Sequence, residues 1–454
     1  MQHPSPLRHL IVIGSVWPEP ASSAAGSRLC QLLAMFQIMR WRITFASAAQ
    51  YSEHGVDLAA MGVAQARIAL NDSSFDDWLA QQAPDAVMFD RFMTEEQFGW
   101  RVERTCPEAM RLLDTEDLHS LRAIRGERLR KHQQAYTGIV ERHRVGPVLE
   151  APDALFDEMM QSDIAQRELA SIYRSDLSLM ISPFEMRLLQ QWFGVPASLL
   201  CYLPLLAEPP DAADEDRPAS LLPDFEERRH FISMGNFRHA PNWDAVLWLK
   251  HQLWPAIRAR LPAAELHVYG AYPPPKATAL NQPKQGFLVK GWAPDALAVM
   301  RSSRVCLAPL RFGAGQKGKL LDAMMTGTPS VTTSLGAEGM GEAPTWPGIV
   351  ADNADALVEA AVTLYEDVEL WSASQARAAT MLRERFAAPP HRANLASCVA
   401  AVMADLEKHR RHNVVGTLLR HQQHRSTQYM SQWIEVKNRH QQLKNRYRHL
   451  DNPS

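Results

Sequence analysis

Two parts of the sequence repeat the same order of apolar runs and helical stretches. In the first, the apolar run at residues 10–14 precedes a loop rich in Pro, Ser and Gly, a helical stretch at 27–39 and a second apolar run at 41–47. The order restarts with the apolar run at 229–235. A strand, a helix and a second strand in this order form a βαβ unit. We therefore predict an α/β protein with two doubly wound, Rossmann-like domains.

Further apolar runs extend this pattern in both halves, with helical stretches between them. We predict strands at 86–89, 110–113 and 177–181 in the first half, and at 265–269, 288–290, 305–310 and 330–333 in the second. Strands that alternate with helices form parallel sheets covered on both faces. The carboxyl ends of the strands of both sheets should then line a cleft between the domains.

Changes in composition along the chain indicate the expected domain boundaries. We predict a first domain over residues 1–206, a linker rich in Pro and acids over 207–228 and a second domain over 229–387. A helix at 388–407 should cross back to the first domain, and a basic helical tail should follow at 408–454. From Lys408 onward there are ten Lys or Arg and two acids, which gives this segment a net charge of +8. Because the whole chain has a net charge of -2, the residues before Lys408 carry -10. This balance gives no general reason to expect nucleic acid as a partner.

The five cysteines lie far apart and form no Cys-x-x-Cys pair, which favours a reducing compartment and argues against zinc. No run of about 18 apolar residues occurs, so we expect no transmembrane segment. We predict a cytoplasmic protein, with a peripheral position at the inner membrane face as the alternative.

A loop with three glycines and two lysines lies at the start of a predicted helix. It is Gly313-x-Gly-x-x-Gly318, with Lys317 and Lys319, and the helix should run over 319–325. Backbone N–H groups at a helix start, together with cations, bind a phosphate. The loop resembles a dinucleotide fingerprint with Glu338 as its acid, but it comes late in the domain. It also nearly spells a P-loop, yet Leu320 stands where a Ser or Thr would bind magnesium.

The same region resembles a known family. Residues 311–339 resemble the donor-site signature of GT-B glycosyltransferases of family 4, the group 1 glycosyltransferases. Residues 235–244 are similar to the first loop of that family's C-terminal domain, and 289–292 to the strand and turn beside the nucleobase. The resemblance implies that a sugar moves from a nucleotide diphosphate-sugar to an acceptor hydroxyl with retention, in glycan biosynthesis. It also implies no metal and no cofactor.

The resemblance assigns donor-binding roles in the second domain. The candidates are Gly235, Arg238, Arg311, Gly313, Gly315, Gln316, Lys317, Lys319, Asp322 and Glu338. Cations and helix N–H groups would stabilise the charge of the leaving diphosphate. A surface ion pair between Lys319 and Asp322 is the structural alternative. Asp322 stands where the family has the second glutamate of a Glu-x7-Glu pair, and Ala314 stands where the first would fall.

In the first domain the resemblance points to the segment after the strand at 110–113. His119 would contact a sugar hydroxyl and Asp117 would assist deprotonation of the acceptor, with a helix cap as the alternative for His119. Gly26 and Ser27 would form a loop near donor and acceptor. Ser182 and Glu185 should be structural. The acids at 214–216 spell Asp-x-Asp, but they fall in the linker and are not taken as a metal site.

The basic tail and the incomplete acid pair leave alternatives open. Aromatic and basic residues recur in the tail at helical spacing, which predicts a helical pair for homo-oligomer formation or for an anionic surface. The acceptor would be a glycan, a lipid-linked molecule or a protein. One alternative is a catalytically weak GT-B homologue that acts as a binding or scaffold protein. Another is a transferase with a nucleic-acid acceptor, which the tail contacts.

Overall fold

The computed structural model describes residues 7–136, 138, 145–207 and 222–450, without the side chains of 423–425 and 446–450. Most of the expected linker, including Asp214 and Asp216, lies outside these residues. Within them, the chain forms two α/β domains and a C-terminal helical segment. The predicted fold class is confirmed.

The first domain contains a sheet of seven parallel strands in the order β3-β2-β1-β4-β5-β6-β7. Its elements are β1 (His9–Gly14), α1 (Ala24–Ile38), β2 (Arg42–Ser47), β3 (Ala64–Arg67), α2 (Ser74–Gln82), β4 (Ala86–Asp90), α3 (Phe92–Thr105), β5 (Met110–Asp114), α4 (His119–Gln134), α5 (Pro152–Met160), α6 (Asp163–Arg174), β6 (Leu177–Met180), α7 (Pro183–Gln191) and β7 (Leu200–Tyr202).

Strand β1 shows why the sequence forms a central strand. Leu10 and Val12 are buried in the apolar core on one face of the sheet, while Ile11 and Ile13 are buried in the core on the other face. Successive side chains of a strand point to opposite faces, so an unbroken apolar run is buried only where helices cover both.

The second domain contains six parallel strands in the order β10-β9-β8-β11-β12-β13. Its elements are β8 (Arg229–Met234), α8 (Ala240–Trp248), α9 (Trp254–Arg260), β9 (Leu266–Tyr269), α10 (Pro275–Thr278), β10 (Phe287–Gly291), α11 (Ala296–Arg301), β11 (Ser303–Ala308), α12 (Gly318–Met325), β12 (Ser330–Thr332), α13 (Ser334–Ala337), β13 (Gly348–Val350), α14 (Ala354–Glu366) and α15 (Val368–Met381). A π-helical turn, Leu249–Leu253, joins α8 to α9.

Three helices complete the described chain: α16 (Ala388–Ala404), α17 (Leu406–His412) and α18 (Val414–Leu450). Helix α16 returns to the first domain, where Leu395, Val399 and Val402 are buried in the same core as Leu10. From Lys408 onward the described chain comprises the end of α17 and the long helix α18, which packs against α3 and α6. None of the helices in the described part of the chain combines the length and apolar character needed to span a bilayer.

The order of the strands in each sheet indicates where the candidate site lies. In the first sheet the order in which the strands are added reverses between β1 and β4, and in the second sheet it reverses between β8 and β11. Ligands of doubly wound sheets bind outside the carboxyl ends of the strands at this switch point. The loops after β1, β5, β8 and β11 therefore form the candidate site.

Candidate active site

The glycine loop connects β11 to α12 and lies against the first domain. Gly315 has a φ of 63°, in the left-handed region that favours glycine. A Cβ atom on Gly315 would lie 2.7 Å from the Cβ of Asp117, in the loop after β5. The neighbouring Gly313 contacts the first domain as well, since its carbonyl oxygen accepts a hydrogen bond of 3.0 Å from Arg125 of α4. The two domains are thus in direct contact at this loop.

Two lysines stand at the start of α12 without a carboxylate partner. Lys317 Nζ donates to the carbonyl oxygen of Gly315 at 2.6 Å, and Lys319 Nζ donates to Oδ1 of Asn242 at 2.6 Å. In the described part of the chain neither ammonium group has an acid within ion-pair distance. Burial lowers the pKa of both lysines, and that of Lys319 falls to about 8. Because no side chain caps α12, its start can accept an anion.

Asp322 lies one helical turn after Lys319. Burial raises the pKa of its carboxyl group to about 7, while the charge of Lys319 acts in the opposite direction. The proximity that the i,i+3 spacing predicts is present, but the two groups do not form an ion pair within the described residues. Asp322 therefore places a titratable carboxyl group close to Lys319.

Three other predicted donor ligands have their polar groups engaged within the protein. Arg311 is buried and forms an ion pair of 2.6 Å with Asp244. Glu338 accepts hydrogen bonds from both terminal nitrogens of Arg125, at 2.7 and 2.9 Å. Gln316 accepts from the backbone N–H of Leu205 and donates to the carbonyl oxygen of Gly339. In this conformation these side chains are held by contacts within the protein, and the donor-binding roles expected of them stay predictions.

The loop after β8 contributes two further candidates. The backbone N–H of Gly235 donates to the carbonyl oxygen of Tyr269 at 3.0 Å, which places the loop beside β9. The guanidinium of Arg238 is exposed and lies 3.6 Å from the ring centroid of Tyr272. Tyr272 in turn donates to the carboxylate of Glu19, in the loop after β1. Arg238 thus stands where the loops of both domains meet.

Asp117 contacts Gly315 of the second domain from the loop after β5, and His119 follows as the first residue of α4. Nε2 of His119 lies 3.6 Å from Oδ1 of Asp117, whose other oxygen pairs with Arg122. Burial lowers the pKa of His119 to about 4, so the imidazole is neutral at pH 7. Burial raises the pKa of Asp117, but the charges of Arg122 and His119 outweigh it and the net shift is downward.

His239, immediately before α8, connects this pair to the lysines. Burial lowers the pKa of His239 to about 4, and the charges of Arg122, Asp117, Lys319 and Lys317 all act on it. The structure therefore brings the predicted groups of the two domains into one electrostatic cluster. His239 was not among the predicted site residues, although it lies within the 235–244 segment.

Gly26 and Ser27 make close contacts within the first domain, and their predicted role near donor and acceptor stays a prediction. A Cβ atom on Gly26 would lie 2.4 Å from the backbone of Glu19, and Ser27 Oγ donates to the carbonyl oxygen of Pro20 at 3.0 Å. Gly26 therefore allows the loop after β1 to fold back on α1. Ser23 caps this helix by accepting from the N–H of Gly26.

Sequence analysis missed the contact that Glu185 makes across the domains. Oε1 of this fully buried residue of α7 accepts a hydrogen bond of 2.6 Å from the backbone N–H of Gly315, whereas Oε2 is buried without a partner. Burial raises the pKa of Glu185 to about 8. Ser182 caps the same helix by accepting from the N–H of Glu185, in line with its expected structural role. The signal available in the sequence was an acid close to the carboxyl end of the strand predicted at 177–181.

One group of side chains has the spacing that a metal ion requires. Ligand atoms of His230, Glu265 and His267 lie within 4.8 Å of one another. The group stands at the amino ends of β8 and β9, on the opposite side of the sheet from the cleft. Nε2 of His267 is hydrogen-bonded to Glu265 at 2.8 Å, whereas Nδ1 of His230 is buried without a hydrogen-bond partner among the described residues.

Comparisons with known proteins agree with this geometry. Residues 228–367 match the family described as "Glycosyl transferases group 1". No curated protein matches the chain in sequence. Among solved structures, sucrose-phosphate synthase from Thermosynechococcus elongatus is 15% identical with a TM-score of 0.59, and the match covers 87% of this chain and 100% of that one.

Two other solved structures are similar over the same extent. A glycosyltransferase from Rickettsia africae is 10% identical with a TM-score of 0.59, covering 87% of this chain and 99% of that one. The Anabaena protein HepE, in complex with UDP and glucose, is 12% identical with a TM-score of 0.57, covering 86% and 99%. At these identities the likeness establishes the fold.

Proposed function

We propose that the chain is a retaining glycosyltransferase, which the match of residues 228–367 to the group 1 glycosyltransferases and the GT-B fold support. It moves a sugar from a nucleotide diphosphate-sugar to an acceptor hydroxyl. The second domain binds the donor, and the first domain binds the acceptor, a glycan, a lipid-linked molecule or a protein. The observation that carries this proposal is the pair of lysines at the start of α12, neither of which has a carboxylate partner among the described residues.

The proposed donor site uses Lys317, Lys319 and the N–H groups at the start of α12 for the diphosphate. When the bond from the sugar to the diphosphate breaks, negative charge grows on the leaving oxygens. Cations fixed at that position stabilise the transition state more than the bound donor. Asp322 is then available to accept hydrogen bonds from hydroxyl groups of the ribose.

The proposed acceptor site lies at the loop after β5. His119 is neutral at pH 7 and can exchange a hydrogen bond with a sugar hydroxyl, and Asp117 supplies a fixed negative charge beside it. Asp117 assists removal of the proton of the attacking hydroxyl. The resemblance to family 4 implies retention at the anomeric carbon. Comparing the anomeric configuration of the product with that of the donor tests it.

We also propose that the reaction needs no metal or cofactor, because two lysines can balance the charge of a diphosphate. Full turnover in excess EDTA is the expected result, and loss of activity that Mg²⁺ restores would contradict it. The five cysteines are free thiols, which supports a cytoplasmic location.

Isothermal titration with UDP-, GDP- and ADP-sugars tests the donor site. HepE was solved with UDP and glucose, which makes UDP-glucose the first donor to test. We expect one donor class to bind the wild type and Lys317→Ala to bind it at least about tenfold more weakly. Lys284→Ala, an exposed lysine of the same domain, is the control. The assignment of the donor site is contradicted if no donor binds, or if both variants bind the donor as the wild type does.

A second candidate is a scaffold protein without turnover. The observation in its favour is Ala314, which is buried against first-domain side chains in place of the family's first glutamate. Donor hydrolysis by the purified protein distinguishes the enzyme from the scaffold, because a scaffold releases no free sugar from the donor. Release that His119→Ala or Lys317→Ala abolishes supports the enzyme.

A further inference from the structure

Helix α18 turns polar side chains toward the body of the protein. Arg420 and Ser431 are buried on this side. Ser431 Oγ accepts from Arg101 of α3 at 3.2 Å, and Arg420 donates to the carbonyl oxygen of Arg174 of α6 at 3.4 Å. Glu435 accepts from the backbone N–H of Ser73 at 3.3 Å. The contact between α18 and the first domain is therefore largely polar.

The opposite side of α18 carries large apolar side chains in solvent. Its members, which we call the outer stripe, recur at intervals that return to one side of a helix. They are Leu418, Tyr429, Trp433, Val436 and Leu443, each exposed by half or more. A surface helix ordinarily buries its apolar side and exposes its polar side. Helix α18 does the reverse, which indicates that the outer stripe meets another apolar medium.

The charges beside the outer stripe are all positive. Lys437 and Lys444 are exposed next to it. Glu435 is the single acid in the sequence of α18, and it points inward, where it pairs with Arg439 at 2.6 Å. The segment from Lys408 onward has a net charge of +8. A partner for this surface must therefore combine an apolar layer with negative charge.

The size of the outer stripe argues against a second copy of the chain. From Leu418 to Leu443 the helix extends roughly 40 Å and a stripe about 10 Å wide covers on the order of 400 Å². A stable protein interface buries about 800 Å² per partner. A second copy would also bring the same excess of positive charge to the interface, and like charges repel.

We propose that α18 lies on the surface of an anionic lipid bilayer. The outer stripe enters the boundary between head groups and acyl chains, where Trp and Tyr are favoured. Lys437 and Lys444 reach the acidic head groups beside it. The described side chains at 436–445 are all exposed, so this end of the helix is free to contact a surface. This role is independent of the proposed transfer reaction.

Vesicle flotation with the full chain tests the proposal. We expect the wild type to float with vesicles that contain phosphatidylglycerol, not with phosphatidylcholine alone, and to dissociate as salt increases. Trp433→Ser with Leu443→Ser should lower the affinity at least about tenfold, and so should Lys437→Glu with Lys444→Glu. All four side chains are exposed, so the variants should fold. Asn438→Ser, exposed on the same helix away from the outer stripe, should bind as the wild type does.

Three outcomes overturn the proposal. The first is that no vesicle binds, and the second is that both lipid compositions bind equally, which would remove the role of the lysines. The third is a dimer, detected by sedimentation without lipid, that Trp433→Ser with Leu443→Ser dissociates. In that case the outer stripe is an interface between copies of the chain.

Discussion

Glu185 of the first domain accepts a hydrogen bond of 2.6 Å from the backbone N–H of Gly315 in the second. One buried carboxyl group thus contacts the loop that holds both candidate lysines. Arg125 reaches the same loop by donating to the carbonyl oxygen of Gly313. Closure of the cleft and the shape of the proposed donor site are therefore linked, and four predictions follow from this geometry and from the lysines.

Cleft closure should depend on pH through Glu185. Burial raises the pKa of this carboxyl group to about 8, above its ordinary value of about 4.3, so the closed form holds the proton more tightly. Closure is most favoured below the ordinary pKa and weakens as pH rises toward 8. The radius of gyration from small-angle X-ray scattering should increase between pH 5 and pH 9. Glu185→Gln should stay compact, because it keeps the acceptor without the charge.

Glu127→Gln is the control for that experiment, since Glu127 is exposed on α4. It should expand with pH as the wild type does. An equal expansion of Glu185→Gln and the wild type would contradict the role of Glu185.

The ion pair between Arg125 and Glu338 should stabilise the contact between the domains. Arg125→Ala should cost about 3 kcal/mol in the free energy of unfolding by urea, because it leaves a largely buried carboxylate unpaired. Adding Glu338→Ala should cost less than the sum of the two single changes, by about 1 kcal/mol or more. The exposed pair of Lys131 and Glu127 is the matched control and should contribute at most about 0.5 kcal/mol. Strict additivity at Arg125 and Glu338 would show that the pair is not coupled.

Gly315→Ala should impair turnover more than stability. The added Cβ would lie 2.7 Å from the Cβ of Asp117 and would separate the two sides of the site. A displacement of about 1 Å can lower kcat/KM by about 100-fold. Gly194→Ala is the matched control, since Gly194 has a φ of 65° but no atom within 4 Å of the added Cβ. Equal kcat/KM values for both variants would contradict the close approach.

Nucleotide affinity should fall at alkaline pH through Lys319. Burial lowers its pKa to about 8, and a diphosphate binds the charged form, so affinity for UDP should be constant below pH 8. Above pH 8 it should fall by up to about tenfold per unit. Lys319→Arg should flatten this decline, because arginine stays charged. Asp322 titrates near pH 7, so the titrations should be repeated with Asp322→Asn. A decline that Lys319→Arg leaves unchanged would exclude Lys319 as its source.

The sequence predicted most strands because their apolar runs are buried on both faces. Strand β3 was missed since its residues, Ala-Gln-Ala-Arg, lie at an exposed sheet edge without an apolar pattern. Strands β7 and β13 contain three residues each, too few for a period to appear. The spacing of apolar residues in the tail predicted helix, but it does not reveal that α18 packs against α3 and α6 of the first domain.

Candidate site residues were predictable where their neighbours in sequence supply the chemistry. Lys317, Lys319 and Asp322 belong to one loop and one helix turn, so their proximity follows from spacing alone. Arg311 was placed among the diphosphate ligands because it is a cation near that loop. Its carboxylate partner, Asp244, lies 67 residues earlier in the chain, and only the fold brings the two together. The contacts of Glu338 and Gln316 likewise come from distant segments.

Helix α16 has a consequence for how the protein is made. Leu395, Val399 and Val402 fill part of the core of the first domain, although they follow the whole second domain in the sequence. While the chain is being synthesised, the first domain lacks these side chains until the second domain has been translated. Expression of residues 1–206 alone should therefore yield an unstable fragment, and the two domains reach their final state together.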